Sequence, residues 1–330
     1  MRYLITGGAG FIGSHLVDAL TTRGDSVLVL DDLSTGRRAN IDHVVVSDLV
    51  EFIEGSVLDE ALVDRCMSRV DMCMHLASAV GVKLITARPL DSLLRNMRGN
   101  DMVISAAARH DVALLFTSTS EVYGKNGGEL TETSDGIFGS PFKSRWAYAT
   151  AKAMGEALAY GYVRERNSRM AVVRLFNTVG PRQTGAYGMV LPRFVRQAMT
   201  GDDLTVYGNG TQTRCFTHVL DTVHAIVLLC DSHLAYGNVF NVGSSREVAI
   251  IELARMVTER LGSDSKVRLV PYDQAYDEGF EELGRRRPDS SAVQRATGWR
   301  PNRTIEEAID DVIAFERGAM AFDRGTPVAR

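Results

Sequence analysis

Within the first twenty residues an apolar strand, Tyr3-Leu4-Ile5-Thr6, runs into Gly7-Gly8-Ala9-Gly10-Phe11-Ile12-Gly13 and then into a helical stretch ending near Leu20. Few other features narrow the fold so far. The glycines fall as GxxGxxG rather than GxGxxG, but each meets the same demand. Gly7 permits a tight turn, Gly10 lets the backbone approach a pyrophosphate, and Gly13 lets the helix lie close to the strand. The first helical turn, Phe11, Ile12 and Gly13, then presents free amides and the positive end of the helix dipole to an anion. Asp31 closes the next strand, Ser26-Val27-Leu28-Val29-Leu30. An acid there accepts from an adenosine 2′-hydroxyl and repels a 2′-phosphate. Strand, glycines, helix, strand and acid in this order predict NAD binding, with NAD preferred to NADP. Asp32 reads as a turn or cap residue, and Arg37 and Arg38 as part of a solvated loop.

Strands and helices keep alternating. Glu51-Phe52-Ile53, Asp71 to Leu76, Val112 to Thr117 and Met170 to Phe176 read as buried strands, with long helices from Leu90 to Arg109 and Trp146 to Arg164. This rhythm predicts an α/β fold, a Rossmann-type doubly wound parallel sheet. After Phe176 glycines at 180, 185, 188, 201, 208 and 210 punctuate shorter elements, as in loops that wrap a ligand. Arg214 to Val219 and Asp221 to Cys230 read as a strand and helix that rejoin the first sheet. Amphipathic helices are expected at Ile250 to Leu261 and Ile305 to Phe315. The expected division is a NAD-binding domain of residues 1–176 plus about 212–242, interleaved with a smaller C-terminal substrate lobe of about 177–211 plus 243–330.

Composition limits the partners. The 330 residues carry a net charge of −4, with 24% charged residues and no long block of one sign, which excludes nucleic acid and anionic membranes as main partners. The four cysteines lack CxxC spacing, so reduced thiols are expected, and the seven scattered histidines imply no metal site. Met1 leads directly into a strand, with no signal-peptide pattern and no apolar run long enough to cross a membrane. A cytoplasmic location is the expectation.

Tyr148 and Lys152 stand four apart on the second long helix and so share a face. An ammonium beside a phenol favours the phenolate, which makes Tyr148 a general base for a hydroxyl proton; Lys152 is also placed to hold the nicotinamide ribose. YxxxK arises by chance on exposed helices. The run Thr117-Ser118-Thr119-Ser120 gives it a context, because ligands of open α/β sheets bind at the carboxyl ends of strands. Glu121, Arg145 and the Arg285-Arg286-Arg287 run add charges that suit a substrate bearing a carboxylate.

Together the glycine turn, the Ser/Thr-rich strand end and Tyr148-x-x-x-Lys152 resemble the extended short-chain dehydrogenase/reductase family. Leu175-Phe176-Asn177-Thr178-Val179-Gly180-Pro181-Arg182 and Leu204-Thr205-Val206-Tyr207-Gly208 through Arg214 carry the likeness into the second lobe. The resemblance implies a nucleotide-sugar enzyme with tightly held NAD, a homodimer through the two long helices. Within the family, Ser118 to Gly124 with Glu121, Arg145 three before Tyr148, and Arg286 before Arg287-Pro288-Asp289 look like UDP-glucuronate decarboxylases. By residue-to-residue match Arg286 is the catalytic arginine, Asn177 and Arg214 touch the UDP diphosphate, and Tyr207 borders the uridine. Three segments depart from the pattern. Ser56 stands where the family has an adenine-reading Asp, leaving backbone or Asp59 for that contact. The loops Ala79-Val80-Gly81-Val82-Lys83 and Phe138 to Lys143 are also unusual.

The resemblance implies oxidation at C4 of UDP-glucuronate and loss of CO2 from the resulting 4-keto acid. Thr119 and Ser120 would bond the enolate, and Glu121 and Arg286 would place the carboxylate and the returning proton. UDP-xylose, the UDP-4-keto-pentose or both are the expected products. A UDP-sugar 4-epimerase acting on UDP-glucose or UDP-glucuronate, or a nucleotide-sugar 4,6-dehydratase, is the alternative. Acting on a neutral hexose, neither needs a pocket for a free carboxylate. An NAD-binding regulator without turnover is a further class, and it usually lacks the Tyr or the Lys, both present here.

Overall fold

Tyr3 and Ile5 of the first strand pack to one side and Leu4 to the other, all fully buried. A strand buried on both faces needs helices above and below it. The computed structural model, which describes residues 1–81, 89–185, 188–275, 281 and 283–325, has that arrangement. Strands β1 (Arg2–Thr6), β2 (Ser26–Asp31), β3 (Val50–Glu54), β4 (Met72–His75), β5 (Ala113–Thr119), β6 (Met170–Leu175) and β7 (Val239–Val242) form one parallel sheet in the order β7-β6-β5-β4-β1-β2-β3. Helices are numbered along the chain as α1 (Phe11–Thr22), α2 (Glu60–Met67), α3 (Pro89–Arg109), α4 (Ala147–Arg166), α5 (Val190–Thr200), α6 (Val219–Cys230), α7 (Ile250–Leu261) and α8 (Ile305–Gly325).

Leu16, Val17 and Leu20 of α1 cover one face with Val223, Ile226 and Leu229 of α6. Val63, Val103, Ile104 and Ala159, from α2, α3 and α4, cover the other. The strand order reverses between β1 and β4, and the crevice beyond their carboxyl ends is where a doubly wound sheet takes its ligands. A buried relay braces this point. The Asn100 amide nitrogen donates to the Ala151 carbonyl, its oxygen lies 3.2 Å from His75 Nε2, and His75 Nδ1 lies 2.7 Å from the Thr6 hydroxyl. Burial, and then the Lys152 charge, hold the His75 imidazole neutral with a pKa near 3.

The strand and helix positions agree with the sequence pattern, with one exception. Residues 214–219 do not rejoin the large sheet. Thr213–Cys215 pairs antiparallel with Glu247–Ala249, and Thr217–His218 pairs with Thr178–Val179. The returning strand is β7, whose Val239-Phe240-Asn241-Val242 suits a buried edge better than a run containing Arg214. A second core joins Leu191, Phe194 and Val195 of α5 to Leu253 and Val257 of α7 and Ile309 and Val312 of α8. The α8 helix runs ten residues beyond the expected Phe315, to Gly325.

Two glycines fix the entry to the cleft. Gly7 has φ +74°, and a Cβ on Gly13 would lie 2.2 Å from the Gly7 carbonyl oxygen. Substituting Gly13 by Ala is expected to destabilise the fold by roughly 1–3 kcal/mol through overpacking against backbone. A thermal melt should show the midpoint several degrees lower with NAD retention weakened, and an unchanged midpoint would refute the steric role.

Candidate active site

Gly7, Gly10, Phe11, Ile12 and Gly13 of the glycine turn, with Asp31, line one cleft of about 530 Å³ that runs from β1 to the second lobe. Gly10 caps α1 in extended backbone, and no side chain caps that end. The first-turn amides therefore point into the cleft as donors, which suits a pyrophosphate. The Asp31 carboxylate accepts from the Ala9 amide at 2.9 Å and the Leu33 amide at 2.8 Å. Burial raises its pKa and these two amides oppose the rise. Glycine cradle, uncapped helix end and oriented acid fit NAD. Asp32 accepts from the Ser34 amide, a turn role as expected. Asp59 caps α2 through the Leu62 amide at 2.9 Å and is absent from the cleft wall. Ser56 and Val57 do line the cleft.

At the carboxyl end of β5 the strand turns into a 3₁₀ segment, Ser120–Tyr123, capped by Thr119, whose hydroxyl oxygen accepts from the Glu121 amide at 3.2 Å. Tyr148 and Lys152 reach the same place from α4. Lys152 is 1% exposed, donates to the Thr117 carbonyl at 2.9 Å and lies over the Phe116 ring. Burial lowers its pKa to about 7, against the opposing pull of Glu156. The expected lowering of the Tyr148 pKa is not what this arrangement gives. Burial and the Glu121 charge push the phenol above its ordinary range, with only Ser78 acting the other way. The Lys152 ammonium is directed to a carbonyl instead.

Glu121 is the centre of charge. Arg145, in the 3₁₀ turn Ser144–Trp146 just before α4, grips it with Nη1 2.6 Å and Nη2 3.2 Å from its two oxygens. Arg286 approaches from the far end of the chain, 3.6 Å from Oε1, and donates to the Ser120 hydroxyl at 3.2 Å. Burial alone would raise the Glu121 pKa, but Arg145, then Arg286, hold it down at about 2. Why Arg286 points inward follows from local pairing. Arg287–Pro288 forms a short strand against Glu129–Leu130, and residues along a strand alternate sides. Arg285 and Arg287 therefore turn to Glu247 and Glu129, and Arg286 between them turns to the cleft.

Asn177, Tyr207 and Arg214 line the part of the cleft on the second lobe. Asn177 has φ +32° and its amide donates to the Cys215 carbonyl at 3.2 Å. Arg214 is steadied by the carbonyls of Thr213 at 2.7 Å and Gly284 at 3.2 Å. Two features escaped the sequence reading. Glu156 accepts from the Ser118 hydroxyl and from a bidentate Arg174, which also donates to the Tyr123 hydroxyl at 2.8 Å. The spacing of Glu156 four after Lys152 was the available signal. Glu281 accepts from Lys143 at 2.5 Å, Lys125 at 3.2 Å and the Trp146 indole at 3.1 Å, tying the unusual Phe138 to Lys143 loop to the segment before Arg286. In the other unusual loop, Ala79 to Gly81 line the cleft and Val82 and Lys83 lie outside the described residues.

Comparison with known proteins gives a consistent set of likenesses. The pattern of the NAD dependent epimerase/dehydratase family matches residues 3–243. A UDP-N-acetyl-alpha-D-glucosaminuronate decarboxylase of Bacillus cytotoxicus is 37% identical over 317 residues, covering 96% of this chain and 98% of its own. UDP-glucuronic acid decarboxylase 1 of Xenopus tropicalis is 34% identical over 318 residues, covering 96% of this chain and 72% of its own. Among solved structures, a dTDP-glucose 4,6-dehydratase of Streptomyces venezuelae with NAD and TYD bound superposes with a TM-score of 0.88 at 29% identity, over 98% of each chain.

The ion-pair cluster makes stability depend on pH in a defined direction. The Glu121 carboxyl is lowered from 4.5 to about 2, so its contribution is complete above about pH 4.5 and is lost as pH falls through about 2. Replacing Glu121 by Gln leaves two buried guanidinium groups without their counter-ion, which is expected to destabilise the fold at neutral pH by about 3–5 kcal/mol. Denaturant melts of wild type and E121Q should show that gap narrowing from about pH 5 towards pH 2. A gap independent of pH would mean that the carboxylate is not held by charge.

Proposed function

The chain belongs to the NAD dependent epimerase/dehydratase family, and we propose that within it this protein is an NAD-dependent decarboxylase of a UDP-hexuronate, UDP-glucuronate first of all. The observation that carries this reading is the pair of buried arginines, Arg145 and Arg286, converging on Glu121 one residue past the Ser/Thr strand end. Rearranging a neutral hexose by epimerisation or dehydration calls for no such cationic pocket. Two relatives named as decarboxylases of carboxylate-bearing UDP sugars point the same way.

Gly7, Gly10, Phe11, Ile12, Gly13 and Asp31 would hold NAD, with Tyr148 and Lys152 at its nicotinamide end. Bound NAD supplies the oxidising equivalent for the sugar C4 alcohol and a positive charge that favours the phenolate. Tyr148 takes the C4 hydroxyl proton. The product is a β-keto acid: the C5–C6 bond breaks, CO2 leaves, and the electron pair moves onto the C4 carbonyl as an enolate. Thr119 and Ser120 hydrogen-bond that oxygen.

In this reading the two arginines have different tasks, and their geometry supports the division. Arg145 is committed to Glu121 by two hydrogen bonds, whereas Arg286 stands off at 3.6 Å. In this reading the substrate carboxylate is met by Arg286, and Glu121 stays on Arg145. A second carboxylate brought next to Glu121 raises its proton affinity. Glu121 is then able to carry the proton that reaches C5 after CO2 departs. Asn177 and Arg214 bind the diphosphate, and Tyr207 borders the uridine. Reduction of the 4-ketone before release gives UDP-xylose, and release first gives the UDP-4-keto-pentose.

A second reading concerns the sugar alone. The relative at 37% identity is named for the 2-N-acetyl sugar, and decarboxylation at C6 is chemically the same for both. In this proposal residues 1–176 with about 212–242 carry NAD, and about 177–211 with 243–330 carry the nucleotide sugar. A homodimer through α3 and α4, in the cytoplasm, completes it. Leu94, Met154 and Tyr160 stand exposed on those helices, and no helix among the described residues is long and apolar enough to cross a membrane.

The test is mass spectrometry of the nucleotide sugar after incubating the protein with NAD and, in parallel, UDP-glucuronate and UDP-N-acetylglucosaminuronate. Loss of the mass of CO2 from one substrate identifies it. An unchanged mass with a new chromatographic peak would instead establish epimerisation. Replacing Tyr148 by Phe should lower kcat by roughly 10²–10⁴-fold while leaving UDP-sugar binding intact, as expected for loss of an acid–base group. Replacing Glu121 by Ala should abolish CO2 release, and full activity would overturn its assigned role.

A further inference from the structure

Arg193 differs from the other arginines of the cleft in having two buried nitrogens without a hydrogen bond, where Arg145, Arg182 and Arg286 have one each. It lies in the first turn of α5 and lines the same wall as Asn177, Gln212 and Arg214. Its guanidinium carbon sits 4.2 Å from the centroid of the Tyr207 ring and 5.3 Å from that of Phe194. Nε and Nη1 are buried from solvent and make no hydrogen bond. Its neighbours are engaged: Arg196 bonds Glu316 at 2.8 Å and Arg182 pairs with Asp18 at 2.7 Å. Two buried guanidinium nitrogens with unused donors on a partly buried side chain call for an acceptor. Packing on Tyr207 holds the plane without using those donors, so the group is set in place in advance.

We propose that Arg193 is a specificity-determining cation for the nucleoside diphosphate, donating to a phosphate oxygen of the substrate opposite Arg214. The inference rests on the nucleotide-sugar reading above and adds a residue that the family resemblance did not supply. Three observations favour phosphate over the base. The donors are charged, so a formal anion compensates them better than a neutral uracil carbonyl. Arg214 gives part of its donor capacity to the Thr213 and Gly284 carbonyls, which leaves a diphosphate short of cations. Tyr207, matched to the uridine border, is already covered by the guanidinium on one face.

Calorimetric titration of the NAD-loaded protein with UDP, and with uridine by competition, tests this for wild type, R193M and R193K. R193M keeps an apolar stem against Tyr207 and removes the donors. UDP affinity is expected to fall about 10- to 100-fold, the range for a hydrogen bond to a charged group, with uridine affinity unchanged. R193K should recover part of the loss, and KM for the UDP sugar should rise with kcat within about twofold. Wild-type UDP affinity in R193M, or an equal loss for uridine, would overturn the proposal. If R193M fails to fold, unaltered UDP binding by R193K would overturn it, since the planar fork is then unused. Absence of UDP binding by the wild type would sink the nucleotide-sugar reading itself, a result separable from the behaviour of either variant.

Discussion

One buried carboxylate joins three distant parts of this chain. Glu121 follows β5, Arg145 precedes α4, and Arg286 lies near the C-terminal end, yet all meet within hydrogen-bond or ion-pair reach. Neither burying Glu121 alone nor burying two guanidinium groups alone is tenable, since an unpaired buried charge is strongly unfavourable. Each segment therefore needs the other two in place. The triad defines the sugar end of the cleft and also fixes the second lobe against the large sheet there.

Beneath it runs a second charged layer. Glu156 receives the Ser118 hydroxyl and the Arg174 fork, and Arg174 continues to the Tyr123 hydroxyl and so to Asn241. This places a fixed negative charge one helical turn from Lys152, whose ammonium burial disfavours. Lys152 is thus kept close to its proton by a carboxylate that is itself saturated with hydrogen bonds. A network with all its partners stays rigid, and rigidity under a hydride-transfer site preserves orientation.

The fold was largely legible because its signals are local. Alternating buried strands and long helices, a glycine at Gly7 and Gly13, and an acid closing β2 each express short-range constraints. The inward turn of Arg286 was also readable in principle, since neighbours on a strand face opposite ways. What escaped involves partners far apart in sequence. Nothing near Arg145 announces that its fork closes on Glu121, and nothing near Arg174 announces Glu156. The rise in the Tyr148 pKa comes first from burial and then from the Glu121 charge, and both depend on how the end of β5 meets α4. The strand at Val239–Val242 was passed over for the segment around Arg214, where a basic residue on a short ladder serves the cleft instead.

In the proposed reading the cleft takes two anions, and the groups that would hold them differ in a way that fits their roles. At the end proposed for the dinucleotide the donors are backbone amides of the uncapped α1 terminus, beside the Asp31 carboxylate. At the end proposed for the sugar nucleotide the cleft is lined by guanidinium groups, Arg193, Arg214 and Arg286, in a chain whose net charge is −4. Amides are fixed and uncharged, so they bind without disturbing their surroundings and suit a cofactor that remains. Guanidinium groups concentrate positive potential in one cleft of an otherwise acidic protein, which draws in an anionic substrate over a longer range. The attraction weakens once CO2 has left and the product carries one negative charge fewer, so the same groups hold product less tightly than substrate.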